Sequence, residues 1–518
     1  MWSIVANRNL RTLLEQKALE FPQKIFFIFE DSEGITERIT YQQLDHNVNK
    51  VANFLTRMGI GKGDKIHLHL RNCPEFLYFW FGLAKIGAIM VPTNYLSTAH
   101  ELQYILSHSE SLITVTEPQY LEVVKQAAQD SPKTKDIIVC RSGERQEGVL
   151  LVEDILKEGA TSPPSASHLL PDDVVAIMYT SGTTARPKGV VLTHAYYIWT
   201  GELAAHHEKL RTEDRHFVVL PLFHGNAQFY SVMASLITGA SIAATQTFSA
   251  SRYFEQAKRH KVTVGSLFAA PMRMILSKTS PTPPKQTKMR LILFAQNLTR
   301  EQLVEFEQRT GACLAQIYGL TELSFPMCNP IDGYRDNMSI GRPTLGVGIR
   351  VVDSHGENVP IGQTGELIIK GIPGWTLMKE YFKEPQATLE AIRGGWFYTG
   401  DNVKMMESGF VYFVDRKKDM IISGGLNVYS RNVEDTLCEH PKVVQAAVIG
   451  LPDPKWGERV TGVVVLQNGA KVTPAEIIGF CKRLLTDYKC PKQIEIIEEI
   501  PLTPVGKIDK KQLRTKFS

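Results

Sequence analysis

Hydrophobic positions recur along this chain in two alternating rhythms. Residues 45–58 place apolar side chains at helical spacing, residues 65–70 follow as a β-rich run, residues 76–86 return to helical spacing and residues 88–91 to a strand. Such a succession predicts a layered α/β domain on a largely parallel sheet. After a Pro- and Ser-rich connection near residues 161–171 the rhythm resumes, with strands predicted at 174–178, 217–220, 262–268, 291–294 and 313–316. Residues 339–414 differ, because glycine and proline punctuate short β-rich runs there, as in a small twisted β-barrel-like subdomain. Further on, helices at 431–439 and 473–485 alternate with strands at 443–449 and 460–466. The expected fold is therefore α/β: a large N-terminal domain over 1–416, made of α/β subdomains 1–170 and 171–330 and the β-barrel-like 331–416, then a small C-terminal α/β domain over 417–518.

Length and composition narrow the classes. A chain of 518 residues exceeds what one core usually holds, and 43% hydrophobic with 22% charged residues excludes a disordered protein. The net charge of +4 is spread along the chain, which points away from nucleic acid and leaves anionic small molecules as partners. Seven cysteines without a C-x-x-C pair imply free thiols in a reducing compartment, the cytoplasm, rather than a disulfide framework or structural zinc. The first 16 residues carry Arg8 and Arg11 and lack a signal-peptide core, and the last four, Thr515 to Ser518, are not a peroxisomal tail. The longest apolar stretch, residues 76–92, contains Lys85 and is too short to cross a bilayer, so a buried helix is expected and no transmembrane segment.

Chemistry concentrates first at Thr180-Ser181-Gly182-Thr183-Thr184-Ala185-Arg186-Pro187-Lys188-Gly189. A hydroxyl-rich loop behind an apolar strand, bounded by glycines, aims backbone N–H groups and hydroxyls at anionic oxygens, and Lys188 adds a compact cation. Its spacing is not that of a Walker loop. Taken alone, it reads equally as a polar surface turn. His224, at the end of a predicted strand in Pro221-Leu222-Phe223-His224-Gly225-Asn226, is by itself more often structural than functional. Tyr318-Gly319-Leu320-Thr321-Glu322 offers an aromatic ring, a hydroxyl and a carboxylate, Asp401 a carboxylate, and Lys507 a cation between turn formers. No G-x-S-x-G elbow or G-x-G-x-x-G fingerprint is present to support a hydrolase or a dinucleotide oxidoreductase.

In order, these motifs resemble those of the adenylate-forming superfamily, which includes acyl-CoA synthetases, adenylation domains and firefly-type luciferases. The loop is similar to T-S-G-T-T-G-x-P-K-G, with Ala185 at a common glycine; residues 318–322 are similar to Y-G-x-T-E, and residues 501–507 to P-x-x-x-x-G-K. The resemblance implies an ATP-dependent acid–thiol ligase, which activates a small-molecule carboxylic acid as acyl-AMP and passes the acyl group to coenzyme A. Under it, Thr180, Ser181, Gly182, Thr183, Thr184 and Lys188 cradle the β- and γ-phosphates, and Thr184 counts among the catalytic groups. Backbone near Gln296 and Asn297 approaches adenine, Tyr318 stacks on it beside Gly319, Thr321 binds the α-phosphate and Glu322 holds Mg²⁺. Asp401 and Arg416 take the ribose, Lys418 is the hinge, Gly424 and Gly425 face the thiol substrate, and Lys507 bridges carboxylate and α-phosphate. His224, Gly225, Asn226, Gln228, Ser324 and Met327 line the acid pocket. Residues 71–92, with Asn297 and Leu298, look most like the carnitine and crotonobetaine ligase branch. A ligase loading a separate acyl carrier protein, a non-catalytic nucleotide-binding relative and a light-emitting oxygenase on the same fold are the competing readings.

Overall fold

The computed structural model describes residues 4–145, 147–165, 168–180, 187–279, 287–296, 298–417, 419–423, 426–454, 456–503 and 508–518. Packing divides the chain into two compact units, one of Met1–Asn337, Gly341–Gly348 and Lys370–Phe397, the other of Met338–Ile340, Ile349–Ile369 and Tyr398–Ser518.

The first unit holds two large sheets. One runs, in spatial order, through Lys188–Thr193, Val174–Thr180, Ile89–Pro92, Lys65–His69, Ile113–Thr116, Asp136–Val139 and Leu150–Leu151, with Glu380–Tyr381 on the open side of Lys188–Thr193. The other is nine-stranded, and its centre is parallel from Cys313–Tyr318 through Leu291–Ala295, Val264–Phe268, Arg215–Val218 and Ser241–Thr245 to Ile25–Glu30. These strands read as continuous apolar runs because parallel sheets are covered on both faces. Sheet membership does not follow a boundary at 170. Ile25–Glu30 joins the nine-stranded sheet, and Val174–Thr180 with Lys188–Thr193 joins the other. Periodicity specifies a strand, whereas the sheet it enters is a long-range choice without a local mark.

The helix at Tyr41–Arg57 starts four residues before the apolar repeat suggests, because Thr40 and Gln43 form a reciprocal capping box. Helix Pro74–Ile86 is buried at every residue but Glu75, Lys85 included. The Lys85 ammonium is satisfied internally, donating to Asp45 Oδ1 at 2.6 Å, Asn49 Oδ1 at 2.7 Å and Glu15 Oε1 at 3.0 Å. Among the described residues no helix is long and apolar enough to cross a membrane.

The β-rich stretch supplies strands Gly348–Val352, Thr364–Lys370, Trp396–Met405 and Val411–Arg416, hydrogen-bonded in that order. The rest of the second unit is a sheet of Leu426–Val428, Ile421–Ser423, Gly457–Leu466 and Val443–Asp453, with Gln493–Ile496 parallel to Gly457–Leu466. Alternation along Val443–Asp453 divides its residues between two cores. Ala446 and Val448 pack with Val433 and Leu437 of helix Ser430–Cys438 and with Ile477 of helix Pro474–Leu484. Ala447, Ile449 and Leu451 pack with Leu513 of helix Lys510–Phe517.

Candidate active site

The glycine- and threonine-rich loop joins the strands of an antiparallel hairpin: Thr180 pairs with Lys188 and Tyr179 with Gly189. Its return element is a strand, so the loop differs from phosphate loops that open a helix. Gly189 has a packing reason to be glycine. A Cβ there would lie 2.9 Å from Ile177 Cγ2 and 3.2 Å from Phe382 Cβ, and its carbonyl accepts the Phe382 N–H at 2.7 Å. The hairpin's other flank is tied down by Tyr179 Oη and His108 Nδ1 at 2.7 Å, and by Tyr104 donating to the Pro187 carbonyl at 3.3 Å. Ser181, Gly182, Thr183 and Thr184 lie outside the described residues.

Lys188 Nζ sits over the Tyr381 ring, 4.9 Å from its centre, and the Tyr381 hydroxyl donates to Glu322 Oε1 at 2.9 Å. Burial first, and then the Glu322 charge, raises the Tyr381 pKa, so the phenol keeps the proton that orients the carboxylate. One aromatic side chain thus fixes the predicted phosphate cation and the predicted metal carboxylate beside each other. Tyr381 was not among the expected site residues. It stands far from both motifs in sequence, on a short strand paired with Val190, and nothing local marks it.

The turn following strand Cys313–Tyr318 is clamped from below. Tyr196 donates to the Thr321 carbonyl at 2.7 Å and accepts the Ser324 N–H, while Tyr230 donates to the Ser324 carbonyl at 2.9 Å. Ser324 is held at φ 35°. Gly319 leaves room for this clamp, since a Cβ would meet Tyr230 Oη at 2.5 Å and Ser324 O at 2.8 Å. Tyr318 and Met327 are partners in adjacent antiparallel strands, both buried. Gln296 ends strand Leu291–Ala295 in the left-handed region, φ 75°, and its carbonyl accepts Gln316 Nε2 at 3.3 Å. Asn297 lies outside the described residues.

His224 follows a strand end held by Asn72, whose amide donates to Leu220 O at 3.2 Å and Thr245 O at 3.0 Å and accepts the Leu222 N–H at 2.7 Å. The Asn226 N–H donates to His224 Nδ1 at 3.2 Å. That bond makes Nδ1 an acceptor and places the proton of the neutral ring on Nε2. The ring packs edge-on against Phe268, 5.5 Å between centres. Residues Asn226–Met233 form a π-helix, a feature the apolar pattern gave no reason to expect and one frequent at functional sites. Gly225 admits it, because a Cβ there would come within 2.6 Å of the Phe229 ring. Gln228 is fully buried and spends its amide on Tyr197, at 2.5 Å, and Leu222 O, at 2.7 Å. Asn226 is buried with Oδ1 unpartnered.

In the second unit Asp401 is 1% exposed and pairs in register with Arg416, whose Nε lies 3.2 Å from Asp401 Oδ1. Glu366 supports both strands, accepting the Gly400 N–H at 3.0 Å and Lys417 Nζ at 2.7 Å. Lys418, Gly424, Gly425 and Lys507 lie outside the described residues.

The AMP-binding enzyme family matches residues 14–382, and the AMP-binding enzyme C-terminal domain matches residues 432–507. The chain belongs to the AMP-binding enzyme family. It is 34% identical to a crotonobetaine/carnitine–CoA ligase of Salmonella agona, over 99% of this chain and 100% of that protein. Among solved structures it is similar to ATP-bound MatB from Rhodopseudomonas palustris, with a TM-score of 0.88 at 28% identity over 98% of this chain and 99% of that one. It is also similar to the anthranilate–CoA ligase AuaEII in complex with anthranoyl-AMP, at a TM-score of 0.89 and 26% identity, over 98% of this chain and 97% of that one. The expected enzyme class, an AMP-forming acyl-CoA synthetase using ATP and coenzyme A, is met at the level of the family.

Proposed function

We propose that this enzyme joins a small polar carboxylic acid, of the carnitine or crotonobetaine type, to coenzyme A in two steps at one site. In the first, a carboxylate oxygen attacks the α-phosphorus of ATP, the bond to the bridging oxygen breaks and pyrophosphate leaves. In the second, the thiol sulfur attacks the acyl carbon, AMP leaves, and the thiol proton passes to solvent. An anion must approach a polyanion in the first step, so the site has to supply positive charge and orientation.

The observation that carries the proposal is the Lys188, Tyr381 and Glu322 arrangement beside the loop hairpin. Lys188 faces the outer phosphates together with the loop hydroxyls. The Glu322 carboxylate is the hard oxygen donor that Mg²⁺ prefers, and the ion when bound neutralises phosphate charge. Neutral His224 offers Nε2–H to the acid, and Asp401 with Arg416 takes the ribose. Lys507 delivers a cation to the α-phosphate for adenylation and withdraws before thioester formation, with Lys418 as pivot. The polar groups around His224 and Gln296 favour a polar acid over a long alkyl chain. The seven thiols suit a reducing cytoplasm.

The test is pyrophosphate release with ATP across betaine, fatty, aryl and amino acids, followed by free coenzyme A as acceptor. Betaine-type acids are expected to lead, with thioester formed without a carrier protein. A tenfold lead for aryl or fatty acids would overturn the acid assignment alone. The Lys507→Ala variant is expected to lose at least a hundredfold in acyl-AMP formation, about 3 kcal/mol, while converting supplied acyl-AMP to thioester at near the parent rate. Equal loss in both steps would remove the assigned role of Lys507.

A further inference from the structure

Lys510 opens helix Lys510–Phe517, yet its side chain is only 14% exposed. Its ammonium donates to Ser430 Oγ at 2.6 Å and pairs with Glu434 Oε1 at 2.7 Å, and that oxygen also accepts the Val448 N–H at 2.8 Å. Ser430 in turn lies beside the buried Asp415 carboxyl and favours its charged form, so lysine, serine and aspartate sit in one cluster. One helical turn on, Arg514 donates to Asp419 Oδ1 at 3.0 Å. Leu513 anchors the helix in its core, and the segment ahead of it is closed at its base by the Leu502 and Ile508 bridge and by Asp509 N–H to Pro501 O at 2.8 Å.

Asp415 is the odd member of this cluster. It is buried, its Oδ1 accepts the Arg416 N–H at 2.8 Å, and its Oδ2 has no hydrogen-bond partner. A carboxylate oxygen shut away without a donor costs free energy that hydration would restore. A contact left partly unsatisfied loses less on opening than a fully satisfied one, as a switching element requires. In sequence, Asp415 and Phe413 precede position 418, whereas Ser430, Arg431, Glu434 and Lys510 follow it. Phe413 makes a contact of the same kind, with the Arg431 guanidinium 5.3 Å from its ring centre.

We propose that Asp415 and Lys510, with Ser430 between them, are positioning residues that latch the C-terminal lobe in one of its two working orientations and release it for the other. The latch rests on the reading of Lys418 as pivot. Neither residue is assigned contact with substrate; both act by setting how often each orientation is occupied.

The two half-reactions are measured separately, acyl-AMP formation by pyrophosphate release and thioester formation from supplied acyl-AMP, for the parent enzyme and for Asp415→Asn, Lys510→Gln, Lys510→Arg and Lys418→Pro. Asp415→Asn and Lys510→Gln are expected to change the ratio of the two rates at least fivefold in the same direction, and Lys510→Arg to bring it back to within twofold of the parent. Parallel loss of both rates, with the ratio kept within twofold, would overturn the latch and leave the cluster as scaffold. If Lys418→Pro separates the half-reactions while Asp415→Asn leaves their ratio unchanged, the latch falls and the pivot stands. If Lys418→Pro leaves both rates unchanged, the pivot fails, and the latch with it.

Discussion

Each unit of this enzyme holds a lysine inside a polar cluster, Lys85 fully buried and Lys510 14% exposed, and the two are treated differently. Around Lys85, every carboxylate oxygen that faces the ammonium's neighbours is used: Asp45 Oδ1 takes Lys85, Asp45 Oδ2 takes Asn49 Nδ2 at 3.1 Å, and Glu15 Oε1 takes Lys85 and Arg11 Nε at 3.1 Å. Around Lys510, Glu434 is satisfied but Asp415 keeps one buried oxygen without a donor. A closed network in low dielectric is strongly coupled and hard to open, whereas a partly satisfied one has little to lose by opening. The first is built on a lysine of the buried helix Pro74–Ile86 in the large unit, and the second ties together residues on either side of the proposed pivot.

The largest effect is expected from removing the cation of the closed network. Lys85→Met keeps the apolar stem and leaves Asp45 and Asn49 facing an uncharged chain end, so stability should fall by about 3–5 kcal/mol, the usual cost of stripping one partner from a buried pair. Urea unfolding followed by fluorescence measures it. A loss under about 1 kcal/mol would mean that the network around Lys85 is no firmer than the one around Lys510, and the contrast would disappear.

The contrast also marks how far the sequence could be read. The order of helices and strands, and the lysine inside an apolar helix, were legible because periodicity and burial are local properties. Lys85 was visible as an anomaly, but its partners Asp45 and Glu15 carry no signal that pairs them with it. Motif spacing singled out the loop, the Tyr318 to Glu322 turn and Asp401 as candidates. It could not show that Tyr381 joins Lys188 to Glu322, that Tyr196 and Tyr230 clamp the turn, or that a Cβ on Gly189 would press on Ile177 and Phe382. Those contacts join residues distant in sequence through single side chains, and no periodicity records them. The π-helix after Gly225 escaped for another reason: its apolar content is that of an ordinary buried helix.

Acid should separate the two units. His194 of the first unit accepts the Leu10 N–H on Nδ1 at 3.2 Å, so the folded ring is neutral, and burial lowers its pKa to about 4. With an unfolded value of about 6.5, its stabilising contribution is complete above that pH and is lost as pH falls toward 4, amounting to about 2 kcal/mol already at pH 5. His69, also buried and lowered to about 4, adds in the same sense. Asp415 of the second unit has the opposite sign. Burial raises its pKa, so the folded carboxyl binds its proton more tightly than the unfolded one, and its destabilising contribution at neutral pH fades on acidification. Hydrogen exchange at pH 7 and pH 5, corrected for intrinsic rates, should therefore show greater loss of protection in helix His194–His207 than in helix Lys510–Phe517. His194→Asn, which keeps an acceptor for Leu10, should shrink the pH dependence of the urea midpoint. Equal loss in both helices would sever the link between burial pattern and acid response.

The smallest effect is the most discriminating, because it compares one substitution at two sites. Asp415→Asn retains Oδ1 for the Arg416 N–H, replaces the partnerless oxygen by an amide nitrogen and removes a buried charge, at the cost of its attraction to Lys510, which keeps Glu434. These changes oppose one another, so the net effect on stability should stay within about 1 kcal/mol. Asp45→Asn has no such compensation. If Asn Oδ1 still accepts Lys85, the new amide nitrogen faces the Asn49 amide that had been donating to Asp45, and turning the group over presents it to the ammonium instead. That substitution should cost at least about 2 kcal/mol, since either rotamer sets donor against donor in a buried site. Paired urea titrations of the two variants decide the matter: similar costs would mean that Asp415 is held as firmly as Asp45, and a firmly held aspartate cannot serve as a release point.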